Sequence, residues 1–168
     1  FVNRDLEHFR YRWERFARVH FETFVQRDRD PFRRLVLRTL GGAGPRFLLA
    51  TTGATVTALG VAYMLEYERL SAGDFPDSAE EQLAHRLSAY AVVTVKLNEL
   101  LSFGETLFAQ PRFGRPRDYR LLSETQWVVA VNKSVSLKAA LSMAYDNRPP
   151  ASRRPLDTAT RMSVQLKF

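Results

Sequence analysis

The sequence predicts an all-β protein: an antiparallel transmembrane up-and-down β-barrel, with about nine strands visible in this chain and about ten or twelve in the complete barrel. Three observations predict it. Apolar and polar residues alternate with period two in segment after segment. The links between these segments alternate between short and long. The final stretch, Asp157 to Phe168, alternates without a break and ends on an aromatic residue. Residues 1–168 thus read as a single outer-membrane barrel domain.

Composition by itself would hide this. Hydrophobic residues make up 45% of the chain and mean hydropathy is -0.27. No apolar run approaches the roughly 18 residues of a spanning helix. A barrel strand needs only about 10 residues, half of them facing lipid, so the average stays near neutral. The absence of cysteine excludes disulfides and zinc–cysteine sites and is compatible with an oxidising, exported compartment. The chain begins at Phe1 with neither an initiator methionine nor a signal peptide, so a mature or partial segment lacking its N-terminal strand or strands is expected.

The elements follow in order. Phe9, Tyr11 and Trp13 stand against His8, Arg10, Arg12 and Glu14 in a short first strand. Val19, Phe21, Thr23 and Val25 oppose His20, Glu22 and Gln26. Next, Leu35, Leu37, Thr39, Ala43 and Phe47 oppose Arg34, Arg38 and Arg46. Pro45, with no N–H to donate and Gly41, Gly42 and Gly44 beside it, predicts a bulge or the barrel rim at that point. Thr55, Thr57, Leu59, Val61, Tyr63, Leu65 and Tyr67 face away from Ala58, Gly60, Ala62, Glu66 and Glu68. Leu87, Ala89, Ala91, Val93, Val95 and Leu97 oppose Arg86, Ser88, Tyr90, Thr94 and Lys96. Leu100 to Pro111 alternates poorly, since Glu105 shares a face with Leu101, Phe103 and Leu107; its position between better strands makes it a strand too. Tyr119, Leu121, Trp127, Val129 and Val131 oppose Arg120, Glu124, Gln126 and Ala130. Val135, Leu137, Ala139, Leu141, Met143 and Tyr145 oppose Ser136, Lys138, Ser142 and Asp146. The last strand sets Thr158, Thr160, Met162, Val164, Leu166 and Phe168 against Asp157, Ala159, Arg161, Ser163, Gln165 and Lys167.

Short links fall near Ala17, at Thr51 to Gly53, at Asn98 and Glu99, and at Asn132 to Ser134. Longer polar ones run from Asp28 to Arg33, Ser71 to Gln82, Arg112 to Arg117 and Asn147 to Leu156. Outer-membrane barrels have short periplasmic turns and longer external loops, which places the C-terminus on the periplasmic side. Single-chain bacterial barrels have even strand numbers, so about one or three strands are expected upstream of Phe1. The terminal residues Arg161, Ser163, Leu166 and Phe168 resemble the assembly signal that such barrels present to their insertion machinery, with Ser163 where glycine is commonest.

Alternation also suits a soluble ligand-carrying barrel with its apolar face inside. The membrane reading is favoured by an apolar face almost free of charge, by the terminal Phe, and by aromatics gathered at strand ends: Tyr67, Tyr119 and Tyr145 at one rim, Trp13, Phe47 and Phe168 at the other.

Glu66-Tyr67-Glu68, Gln110-Pro111, Asp118-Tyr119-Arg120-Leu121 and Tyr145-Asp146-Asn147-Arg148-Pro149-Pro150, followed by Asp157-Thr158 and the terminal Phe, carry a family resemblance. From about Val19 onward the chain resembles the salt-induced outer-membrane protein family of Gram-negative bacteria, a family of unknown function. The resemblance implies fold and location and supplies no catalytic residue. That family usually opens with a further stretch of strands bearing a Gly-Asn signature, which this chain lacks.

Facing inward, Arg34, Arg38, Arg46, Glu66, Glu68, Arg86, Lys96, Arg120, Glu124, Lys138, Asp146 and Arg161 would form a lumen charge network, with Glu22, Asp157 and Lys167 among them. In a narrow barrel such side chains fill the interior, and unpaired charges there are costly, so Arg–carboxylate pairs serving as a core are expected. Gly42, Gly44, Ala58, Gly60 and Ala62 would make room for the guanidinium groups. The alternative is a pore whose basic lining, helped by a net charge of +7, favours anions.

Catalysis finds little support. The histidines are His8, His20 and His85, of which His85 starts a strand near the acidic loop Asp74, Asp77, Glu80 and Glu81. That loop lacks the regular spacing of a calcium site, and no cofactor or metal is expected. Arg29 and Arg33, Arg112, Arg115 and Arg117, then Arg148, Arg153 and Arg154 cluster on the external loops, where forked guanidinium groups suit lipopolysaccharide phosphates. A pI of about 10.1 ordinarily suggests nucleic acid, but arginines inside a barrel cannot reach it. The sequence therefore predicts a non-enzymatic structural or docking component of the cell envelope in contact with outer-membrane lipid, lipopolysaccharide, the insertion machinery and other envelope proteins. A small anion-preferring channel is the alternative.

Overall fold

The computed structural model describes residues 5–30, 35–70, 81–149 and 154–166. Nine strands form one antiparallel sheet in sequence order: β1 (Asp5–Trp13), β2 (Val19–Asp30), β3 (Leu35–Thr51), β4 (Thr55–Leu70), β5 (Glu81–Lys96), β6 (Leu101–Arg112), β7 (Arg115–Ala130), β8 (Val135–Asp146) and β9 (Leu156–Leu166). Each segment read as a strand is one, including the poorly alternating β6. Among the described residues there are no helices.

Three short turns at one end of the sheet share a device. Thr52 Oγ1 accepts from the Thr55 amide at 2.9 Å, Asn98 Oδ1 from Leu100 and Leu101 at 2.9 and 2.8 Å, and Asn132 Oδ1 from Ser134 and Val135 at 2.8 and 2.9 Å. A short polar side chain in each case supplies the acceptor that a reversing backbone lacks.

The opposite end departs from expectation at one link. Where a loop from Arg112 to Arg117 was expected, β6 and β7 are joined by Phe113 and Gly114 alone. Gly114 has φ 76°, a left-handed conformation open to glycine at no cost, and so the arginines on either side remain in strands. Likewise β2 continues to Asp30 and β5 begins at Glu81, because charged side chains do not interrupt a ladder. Of the residues read as external loop, 31–33, 71–80 and 150–153 lie outside the described residues, as does Arg34, read as the start of β3.

Pro45 produces neither a bulge nor a rim. The β2–β3 register runs evenly through Phe21↔Pro45. On the β4 side the partners pass from Ala43↔Tyr63 to Arg46↔Gly60 in unchanged register. The ladder accommodates the missing N–H by skipping Gly44 and Pro45. Irregularities occur instead between Leu35 and Leu37 and between Leu48 and Ala50.

The sheet curls into a half-barrel, so strands that are not neighbours meet on its concave side. Tyr90 of β5 reaches Glu22 of β2, and Arg120 of β7 reaches Glu66 of β4. β1 and β9 form the two edges: β9 pairs with β8 from Tyr145↔Leu156 to Val135↔Leu166, and among the described residues it does not pair with β1, the first of the two partners expected for it, the other being strands upstream of Phe1.

Polarity is inverted across the sheet. The concave side buries Glu22, Arg46, Glu66, Glu68, Arg86, Gln110 and Asp118, with Ala58, Met64 and Tyr90 among them. The convex side exposes Trp13, Phe21, Tyr63, Trp127, Leu137 and Val164, the last at 61%. Curvature accounts for the burial: concave packing crowds long side chains against one another, whereas convex positions diverge.

Candidate functional site: the charged concave face

Alternation along β3, β4, β5 and β7 delivers Arg38, Glu66, Glu68, Arg86 and Arg120 to one region of the concave face. Glu66, 2% exposed, lies at its centre. Arg38 Nε and Arg86 Nε each approach it at 3.2 Å, and Arg120 Nη1 donates to its Oε1. Arg120 also donates to Glu68 at 3.1 Å and to Asp146 at 2.8 Å. Arg86 donates to Asp118 at 3.1 Å and to the Gln110 carbonyl at 3.1 Å, and Arg112 stands 3.5 Å from Asp118. One carboxylate shared by three guanidinium groups is tolerable because Glu68, Asp118 and Asp146 add their own negative charges.

A second cluster surrounds Glu22. Arg12 Nε donates to its Oε1 at 2.7 Å, the Tyr90 hydroxyl donates to its Oε2, and Arg46 and Arg10 stand 3.8 and 4.0 Å away. Arg46 also donates to the Tyr90 oxygen at 3.2 Å. The guanidinium carbons of Arg10 and Arg46 each lie 5.8 Å from the Tyr90 ring centroid, within cation–π range. Gly60 makes this possible: a Cβ there would collide with the Tyr90 ring. A Cβ on Gly42 would likewise collide with the Phe24 ring. The small residues at these two positions therefore make room for aromatic rings rather than for the expected guanidinium groups.

The structure joins eight of the expected lumen residues, namely Glu22, Arg38, Arg46, Glu66, Glu68, Arg86, Arg120 and Asp146, into these clusters. Lys96, Glu124, Lys138 and Arg161 also lie on the concave face but make no ion pair among the described residues, and Lys96, Glu124 and Arg161 are exposed. Arg34 lies outside the described residues. Of the arginines expected on external loops, Arg112 is drawn inward to Asp118, Arg115, Arg117, Arg148 and Arg154 are exposed, and Arg153 lies outside the described residues. Arg161, Ser163 and Leu166 are exposed on β9; Lys167 and Phe168 lie outside the described residues. Glu81 of the acidic loop belongs to β5, 3.8 Å from Arg69, while Asp74, Asp77 and Glu80 lie outside the described residues.

Sequence reading missed Tyr90, Asp118 and Gln110 as members of the network. Tyr90 had a signal, since it stands among polar residues on the charged side of its strand. Asp118 falls between the expected loop, Arg112 to Arg117, and the strand expected from Tyr119, and the structure places it inside β7. On the convex face, Glu105 is held by Ser123 Oγ at 2.7 Å and Thr125 Oγ1 at 2.5 Å.

A nine-stranded antiparallel meander curled around buried ion pairs, with its apolar side chains outward, defines the class: a half-barrel with a polar interior. Residues 3–168 match DUF481, described as a protein of unknown function, and the chain belongs to that family. Comparison with curated proteins and with solved structures gives no match.

Proposed function

We propose that this chain is an integral outer-membrane β-barrel of the salt-induced outer-membrane type, with its C-terminus on the periplasmic side, and that it serves as a non-enzymatic structural or docking component of the cell envelope. The inverted polarity carries this reading. In water, an exposed convex face bearing Trp13, Phe21, Leu59, Tyr63, Trp127 and Leu137 would be an aggregation hazard. Against hydrocarbon the same face is the favourable one, and the polar interior is then the core. The ion-pair clusters run along the concave face from β1 to β8 and bury Glu22, Arg46, Glu66 and Arg86, which supports a structural lumen rather than a wide channel. The exposed Arg115, Arg117, Arg148 and Arg154 would meet lipopolysaccharide phosphates at the external rim.

One observation favours a small anion-preferring channel as the second reading: the concave face near β8 and β9 carries Lys138 and the exposed Arg161 without ion-pair partners among the described residues. Planar-bilayer recording of the refolded protein separates the two. The structural reading expects no steady conductance step; steps that reverse at the anion potential would replace it with the channel.

A further inference from the structure

The two clusters differ in charge balance. In the Glu66 cluster, Arg38, Arg86, Arg112 and Arg120 face Glu66, Glu68, Asp118 and Asp146. In the Glu22 cluster, Arg10, Arg12 and Arg46 converge on one buried carboxylate. Among the described residues the other acid that the ion pairs bring within reach is Glu14, 58% exposed at its side chain, 3.6 Å from Arg12 and 3.7 Å from His20. Both oxygens of Glu22 are already engaged, by Arg12 and Tyr90. Three guanidinium groups therefore meet one buried carboxylate: Arg46 is buried beside it, while Arg10 and Arg12 keep 30% and 36% of their side-chain surface exposed, so it is at Arg46 that an unbalanced charge is costly.

A second observation points to the same place. Arg46 and His20 are 7% and 8% exposed and are direct register partners on β3 and β2, one step from Glu22↔Gly44 toward the end of the sheet that carries the short turns. Arg46 Nε and His20 Nδ1 are both buried and have no hydrogen-bond partner among the described residues, His20 Nδ1 having only the Glu14 carboxylate at 3.7 Å; Arg38 Nε and Arg86 Nε are also without a hydrogen bond but stand 3.2 Å from Glu66. Guanidinium nitrogen never acts as an acceptor, so the group that completes Arg46 must bring a lone pair. Two adjacent buried nitrogens without a hydrogen bond, with Arg12 beside them and the exposed Glu14 free to turn toward water, offer the donors that an oxyanion requires.

We propose that the Glu22 cluster holds a small oxyanion of the phosphate class, seated between His20 and Arg46, with Arg12 completing its charge. Arg46 donates through Nε, His20 through Nδ1 in the tautomer that carries hydrogen there, and Glu22 and Tyr90 hold Arg46 and Arg12 in place. The site belongs to the half-barrel interior and stands whether or not the convex face lies in lipid.

The test uses the folded protein in detergent at constant ionic strength, replacing gluconate stepwise by inorganic phosphate while thermal unfolding is followed. A saturable rise in the unfolding midpoint is expected, reflecting a roughly hundredfold gain in the folded-to-unfolded ratio when phosphate reaches about 100 times its Kd. Arg46→Gln and, separately, His20→Leu should abolish or weaken the saturable rise, whereas Arg38→Gln in the balanced cluster should leave it in place. Identical midpoints in gluconate and phosphate would overturn the site and mean that water fills it. So would an undiminished response in a folded Arg46→Gln protein. If that variant does not fold, a direct phosphorus NMR titration of the unaltered protein decides, with the absence of saturable broadening counting against the site. Bilayer insertion, measured separately by protease protection, can fail without altering either outcome.

Discussion

Arg120 of β7 and Glu66 of β4 form a hydrogen-bonded ion pair across the concave face, three strands apart in the sheet. An uncurled sheet would hold these strands well over 10 Å apart, since neighbouring strands lie about 4.8 Å from one another. The pair therefore reports the curl, and the curl in turn buries the pair. Arg38 and Arg86 close on the same carboxylate from β3 and β5, so one side chain ties four strands together.

Replacing Glu66 should consequently be among the most damaging single changes. Glu66→Ala leaves three guanidinium groups around an empty position, and removing one partner of a buried charge cluster costs about 3–5 kcal/mol. Lys138→Gln, at a position with no ion pair among the described residues, should change stability by less than about 0.5 kcal/mol. Urea midpoints of the refolded proteins compare the two; equal midpoints would mean that the Glu66 cluster contributes nothing as a core.

Much of this fold was legible because a strand's side-chain period is fixed at two. Once Leu59 and Val61 were placed on one face, Gly60 and Ala62 had to lie on the other, and every strand followed. Register was less accessible. Nothing in the spacing shows that Glu66 faces Arg120, because that contact depends on how tightly the sheet curls. The link at Phe113 and Gly114 was hidden for a different reason: flanking arginines suggested a polar loop, whereas one glycine at positive φ was enough for a tight turn. Tyr90 escaped the charge network because the opening above Gly60 exists only after β4 and β5 are paired.

Charges placed on the convex face should separate the membrane reading from a soluble one. Leu59, Val93 and Leu141 are 42%, 37% and 36% exposed on that face, with Thr94 and Ser142 on the other. An Arg or Lys at mid-bilayer on a barrel's lipid face costs about 2–4 kcal/mol, and Asp somewhat less. Leu59→Asp, Val93→Asp and Leu141→Asp should each impair assembly into vesicles, while Thr94→Asp and Ser142→Asp are tolerated. Protease protection after refolding reads the difference, and equal tolerance at both sets would reverse the assignment of faces.

Phe168 supplies a cellular test. If it ends an assembly signal, Phe168→Ser should leave synthesis and export intact and leave the protein unfolded and protease-sensitive in the periplasm. A chain end without such a role tolerates substitution. Recovery of the variant in the outer-membrane fraction at the unaltered level would remove the signal from the account.

Glu105 provides the sharpest test of what lies against the convex face, since it is a carboxylate on a surface otherwise nearly free of charge. It pairs in register with Val93 on one side and Thr125 on the other, and the hydroxyls of Ser123 and Thr125 both donate to it. In water such a half-buried acid on an outer face is solvated directly, and Ser123→Ala together with Thr125→Ala would cost little. Against hydrocarbon the two hydroxyls take the place of water, and losing them leaves a charged group unsolvated, at about 1–3 kcal/mol or more. The double variant should therefore be destabilised in lipid vesicles and rescued by Glu105→Leu, which removes the group that needed solvating. Folding midpoints in vesicles for the double and triple variants carry the test. If the double variant is as stable as the unaltered protein, or if Glu105→Leu gives no rescue, then water and not lipid covers that face.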